Sequence, residues 1–189
     1  MRKPQQIYGL EIPDDDYKMA AVMERDKLNF ESPNKWVYVG ADSKNPGFAK
    51  VGITMDDLAS RSYGTNNPNF YLFCAFQLNQ STTAAELKNI EQNTISHLDE
   101  VFCDENGQTK RARHMESQRL SECYYDVNFE DFFVEVHDYM LDNYGQYFQT
   151  AEYVNGDGFT DGYALSWNFS SLLKPEVKRY FLRRILRGW

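Results

Sequence analysis

Residues 70–78, Phe-Tyr-Leu-Phe-Cys-Ala-Phe-Gln-Leu, constrain the fold more than any other stretch of this chain. The run is far shorter than the ~20 apolar residues a membrane-crossing helix needs. It also lacks the alternation of a strand with one wet face. A short, nearly continuous apolar run of this kind is expected to be a central strand buried on both sides. Tyr-Gly-Thr-Asn-Asn-Pro at 63–68 breaks the chain just before it. Both faces of that strand must be covered, so the flanking segments have to supply pairing strands and packing helices.

The sequence on either side does so. Residues 35–40, Lys-Trp-Val-Tyr-Val-Gly, and 48–54, Phe-Ala-Lys-Val-Gly-Ile-Thr, are rich in β-branched and aromatic residues. The turn-forming stretch 42–47 between them predicts an antiparallel hairpin. A short helix is expected over 55–62, with Thr54 as N-cap and Asp56 and Asp57 in its first turn. Beyond the apolar run, Leu87, Ile90, Ile95 and Leu98 keep helical spacing, predicting a helix over 83–101 opened by Ser81 or Thr82. Residues 108–121 are polar and basic and read as a loop or short helix, and 124–127 as a short strand. Phe132, Phe133, Val136, Tyr139 and Met140 mark an amphipathic helix over 129–144. Residues 145–171 show no clear period and are expected to be irregular. Residues 174–186 predict a basic helix with Pro175 in its first turn. Near the N-terminus, a short helix over 17–28 follows the acidic stretch 14–16. The expected fold class is α+β, a small three-stranded antiparallel sheet flanked by helices, with helical extensions. Its expected divisions are an extension over 1–34, a domain over 35–144, and an aromatic-rich segment with a basic helix over 145–189.

Charge matters once a partner is considered. The net charge of −8 opposes nucleic-acid binding at long range. Read locally, the balance changes. Residues 174–189 carry six Lys/Arg against one Glu, and Lys110, Arg111, Arg113 and Arg119 form a second basic group, while acid gathers at 11–31 and 122–161. A basic surface on an acidic body is therefore open to this chain, as is the plainer reading of two solvated helix faces. Cys74, Cys103 and Cys123 show no metal-ligand spacing and, being odd in number, point to a reducing compartment. With no apolar leader or membrane span in view, a cytoplasmic location is expected.

Four features then fall in a telling order: Val37-Tyr38-Val39-Gly40 on a strand, Lys50-Val51-Gly52-Ile53-Thr54 on the next, Arg61 at the end of the following helix, and Glu91 on a later helix. This order resembles the GIY-YIG endonuclease superfamily, and especially its phage-type branch, whose second motif is similar to Lys50–Thr54. Glu122-Cys123-Tyr124, followed by a helix, looks like the family's later Glu-Trp-Phe element. The resemblance covers residues 35–140.

The resemblance implies a metal-dependent DNA endonuclease using Mg²⁺ or Mn²⁺. Tyr38 would activate water, Lys50 would occupy the second-motif position, Arg61 would stabilise phosphate, and Glu91 would be the metal ligand. The residue types suit the chemistry. A hard divalent cation takes one or two carboxylates, with water and phosphate filling the remaining positions. Such an ion supplies Lewis acidity and stabilises the leaving oxygen. An arginine fork matches phosphate oxygens. A tyrosine, with a pKa near ~10, needs a cation beside it to act as base. Lys110, Arg111, Arg113, Arg119, Lys178, Arg179, Arg183 and Arg184 would contact DNA, mostly at phosphate, which positions without specifying sequence. Two departures stand out: many relatives have a second tyrosine at the Lys50 position, and a histidine where this chain has Thr65. An alternative therefore keeps the fold without catalysis: a binding protein, such as a phage-encoded inhibitor of a host protein, with 145–189 as its interface.

Overall fold

The computed structural model of the chain describes residues 34–55, 58 and 67–188. The helix expected over 17–28, most of the one expected over 55–62, and the residues Arg61 and Thr65 lie outside them. Eight strands and three α-helices follow in the described part: β1 (Trp36–Asp42), β2 (Ala49–Thr54), β3 (Phe70–Gln77), α1 (Ala84–Val101), β4 (Arg111–Arg113), β5 (Leu120–Tyr124), α2 (Phe129–Tyr144), β6 (Thr150–Val154), β7 (Thr160–Leu165), β8 (Trp167–Phe169) and α3 (Pro175–Ile185). The protein is α+β with an antiparallel sheet.

The sheet has six strands, in the order β4-β5-β2-β1-β3-β8, and not the three expected. The expected three, β2-β1-β3, form its middle. The added strands have a clear physical reason. β3 is apolar up to Gln77, and leaving its outer backbone edge open would expose a row of unpaired amides and carbonyls. β8 closes that edge, pairing Cys74 with Phe169 and Phe76 with Trp167. On the far side, β5 pairs with β2 at Ala49–Tyr124 and Lys50–Cys123, and β4 pairs with β5. Residues 108–121, expected to be a loop or helix, thus supply β4 and the start of β5, and 145–171, expected to be irregular, supply β6, β7 and β8.

One face of the sheet carries the main core. Val37, Val39, Ala49, Val51, Cys74 and Phe76 point into it and meet Leu87, Ile90 and Leu98 of α1 and Phe132, Phe133, Val136 and Met140 of α2. Each helix is held at its start by its own sequence. Thr83 caps α1 in a reciprocal capping box with Glu86, and the Asn128 side chain accepts from the Glu130 and Asp131 amides of α2. Phe148, Ala164, Leu165, Leu182 and Ile185 join the same core, so residues 145–188 pack onto the sheet and helices that precede them. The opposite face holds a smaller cluster of Tyr38, Phe48, Phe70 and Ala75, with Trp36, Leu58, Leu72 and Cys123 beside it. No helix among the described residues is long and apolar enough to cross a membrane.

Candidate active site

The alternation of side chains along β1 and β2 decides what can meet. Tyr38 pairs with Gly52, and Gly40 pairs with Lys50, so Tyr38 and Lys50 share the sheet face turned away from the main core. Gly52 has a specific role there. A Cβ at this position would stand 2.6 Å from the Tyr38 hydroxyl oxygen and 2.7 Å from Cζ, so the phenol ring lies directly over the glycine. The glycine of the Lys50–Thr54 motif thereby fixes the path of the tyrosine side chain. Tyr38 itself is 5% exposed.

Lys50 connects the strands. Its ammonium lies 3.2 Å from Glu122 Oε2, and its side chain is 19% exposed. Burial alone would lower the lysine pKa, but the negative forms of Tyr38, Glu122 and Cys123 around it outweigh that effect and hold it above its usual value. Lys50 therefore stays charged in this setting.

Glu91 enters from α1, which packs against β2. Its carboxyl is pushed up to about 7, first by burial and then by the negative charge of Glu122. The Ile53 amide, donating to the Glu91 carboxylate, and the cations Lys50 and Lys88 oppose the rise without cancelling it. Near neutrality this glutamate is therefore poised between its two protonation states. The result is two carboxylates, Glu91 and Glu122, with the Lys50 ammonium and the Tyr38 phenol on adjoining strands.

Of the four residues expected to act together, Lys50 interacts with both Tyr38 and Glu91, while Arg61 lies outside the described residues. Glu122 was not singled out as a site residue from sequence. The signal that could have found it is the pairing of the 120–124 strand with β2, which brings Glu122 to Lys50.

The donor set fits a divalent ion. A carboxyl whose ionisation is opposed by burial and a second carboxylate is a group whose charged form such an ion would favour. Glu91, with Glu122 nearby, provides the one or two carboxylates that Mg²⁺ takes from a protein. Among the described residues, no group of three or more His, Cys, Asp or Glu side chains is arranged as a fuller cage.

The residues expected to contact DNA divide sharply. Arg111 pairs with Asp99 at 2.8 Å and is 15% exposed, so it acts within the fold. Lys110 donates to the Asp126 carbonyl, and Arg113 to the Gln118 carbonyl. Arg184 pairs with Glu130 at 2.6 Å. Arg119 and Arg183 are exposed, and Lys178 and Arg179 lie beside β8. The histidines serve elsewhere. His97 meets Glu135 and stacks on Tyr139 between α1 and α2, and buried His137 accepts from the Leu165 amide.

Comparison with protein-family models, with curated proteins and with solved structures finds no match.

Proposed function

We propose that the chain is a metal-dependent endonuclease that hydrolyses DNA phosphodiester bonds with a GIY-YIG-type site. The observation that carries the reading is the cluster itself: a tyrosine, a charged lysine and a glutamate of raised pKa from three separate elements, at positions matching the family's motif order. Structural ion pairs rarely need a half-buried carboxyl poised near neutrality, whereas sites that bind metal or move protons often have one.

In this reading Glu91, assisted by Glu122, would hold Mg²⁺ or Mn²⁺, which supplies Lewis acidity and stabilises the leaving oxygen. The Lys50 ammonium beside Tyr38 favours its phenolate form, and that phenolate takes the proton from the attacking water, returning to the neutral phenol as the hydroxide adds to phosphorus. Gly52 keeps the phenol over the sheet, where that encounter happens. Arg61 would stabilise the phosphate. A single site makes a single cut, so a monomer yields nicked circles from supercoiled plasmid. Linear product forming at the same rate as nicks would require two sites acting together.

A second reading keeps the fold without catalysis, as a protein-binding module or inhibitor. It is favoured by the net charge of −8 and by the cations already engaged within the fold. Its interface would involve the 145–188 region, where Phe159 stands 71% exposed in the β6–β7 hairpin. Plasmid incubation with Mg²⁺ or Mn²⁺ separates the two. Nicking that EDTA abolishes supports the nuclease, and intact plasmid in every sample supports the binding module.

A further inference from the structure

The strongest feature outside the Tyr38–Lys50–Glu91 cluster lies at the opposite side of the sheet. A cleft of about 260 Å³ opens between edge strand β8 and helix α3, lined by Trp167, Asn168, Phe169, Lys178, Arg179 and Leu182. Its size is a little under the ~300 Å³ at which pockets for drug-sized ligands begin, which suits one ring system. Its chemistry is mixed in a particular way. The two aromatic rings are half-buried against the main core, whereas the two cations come from the helix.

The charges of α3 are not used alike. Arg184 pairs with Glu130, Arg187 pairs with Asp138 and Asp142, and the Tyr180 hydroxyl donates to Glu130. Those contacts tie α3 and the residues just beyond it to α2. Lys178 and Arg179, beside the cleft, form no ion pair with any carboxylate among the described residues. Two uncompensated cations next to a tryptophan and a phenylalanine would suit a ligand with a flat ring at one end and negative charge at the other. Backbone pairing is a poor alternative, because β8 spans only Trp167–Phe169 and offers few ladder bonds to an added strand.

We propose that this cleft holds an unpaired nucleotide of a DNA strand, its base against Trp167 and its flanking phosphates on Lys178 and Arg179. Base stacking on an aromatic platform beside a cationic track is how single strands are held without sequence reading. The choice of DNA rests on the nuclease reading, but the aromatic and cationic lining does not. β8 lies three strands from β2, or roughly 14 Å at the ~4.8 Å spacing of neighbouring strands, so the cleft is a contact separate from the cutting site.

The test measures binding of intact protein to a labelled oligothymidylate by fluorescence anisotropy, in EDTA so that nothing is cut. An unlabelled duplex and a polyglutamate serve as competitors. Trp167→Leu should weaken single-strand binding on the order of tenfold, while Trp167→Phe keeps most of it. The pair Lys178→Gln with Arg179→Gln should flatten the salt dependence by roughly 1.4 units of log–log slope, about 0.7 for each phosphate contact on a single strand. Duplex should compete poorly. The proposal is overturned if a folded Trp167→Leu variant binds as the parent does. It is equally overturned if the double substitution leaves the salt slope unchanged, or if polyglutamate competes as well as oligothymidylate. A protein that binds single strands but never cuts would leave the cleft standing and remove the nuclease reading; one that cuts but passes none of these binding tests would do the reverse.

Discussion

Glu91→Gln should stabilise the protein at alkaline pH while removing its proposed metal ligand. In the folded state the Glu91 carboxyl rises from 4.5 to about 7 because it is buried beside Glu122. Below its unfolded value the group is protonated in both states, and the shift has no effect on folding. As pH rises from there through 7, the unfolded chain gives up this proton more readily than the folded one, so stability is lost across that window. At ~1.36 kcal/mol per pKa unit the upper limit is roughly 3 kcal/mol, and partial contact with water reduces it to about 1–2 kcal/mol. Glutamine has nearly the shape of the protonated acid, can still accept from the Ile53 amide, and carries no charge to desolvate. For a chain of this length ~1–2 kcal/mol corresponds to a Tm increase of roughly 3–6 °C. The assay is thermal unfolding by circular dichroism in EDTA, at about pH 4, below the unfolded value, and at about pH 8. The variant should match the parent at the lower pH and exceed it at the higher. Mg²⁺ should then raise the Tm of the parent alone, since only a ligand bound by the native state stabilises it. Equal Tm differences at both pH values, or a variant less stable at the higher pH, would refute the argument that burial and Glu122 strain this carboxylate.

Three further outcomes follow from named contacts. Gly52→Ala must push the Tyr38 hydroxyl from its place, because the new Cβ would lie 2.6 Å from it; cleavage should fall by ~10²-fold or more, as expected when a proton-transfer group is misplaced, and a variant with parental activity would exclude Tyr38 as the base. Tyr124→Phe removes a buried hydroxyl 2.9 Å from Asp99 Oδ1 and 3.2 Å from the Ile95 carbonyl, and should cost about 1–2 kcal/mol in urea unfolding, whereas no change would show that Arg111 and Thr109 satisfy Asp99 unaided. His137 is kept below its usual value of 6.5 chiefly by burial, so the unfolded state takes up this proton first and stability contributed by the neutral ring declines as pH falls below 6.5; His137→Phe should lose that pH dependence along with roughly 2–3 kcal/mol, and an unaltered pH profile would contradict it.

The sequence carried the middle of the fold because period and composition agree there. The 70–78 run, the Tyr38 strand and the Lys50 strand are apolar or aromatic at the spacing a buried sheet requires. The start of α1 was misplaced: Thr83, not Ser81 or Thr82, is its cap, because only Thr83 stands three residues before Glu86 and closes the reciprocal capping box. The sheet edges were illegible for an equally physical reason. β4 and β8 are three residues each, too short for any alternation to show, and their place depends on the open edges of strands far away in the chain. The candidate site was proposed from an order of residue types. Its electrostatics were not legible: nothing in the sequence around Glu91 shows that Glu122, thirty-one positions later, would press on its charge. Basic composition also misled in part, since Arg111 and Arg184 spend their charge on Asp99 and Glu130 within the fold.

One cluster of tyrosine, lysine and glutamate is proposed to cut DNA. That proposal is tested most directly by incubating supercoiled plasmid and Mg²⁺ or Mn²⁺ with the parent protein, Glu91→Ala, Lys50→Ala and Tyr38→Phe, each confirmed as folded. Metal-dependent nicked circles are expected from the parent and none above background from Glu91→Ala, with Lys50→Ala and Tyr38→Phe slowed by ~10²–10⁴-fold. Plasmid left intact by the parent across several DNAs, or nicked equally by all four proteins, would contradict it.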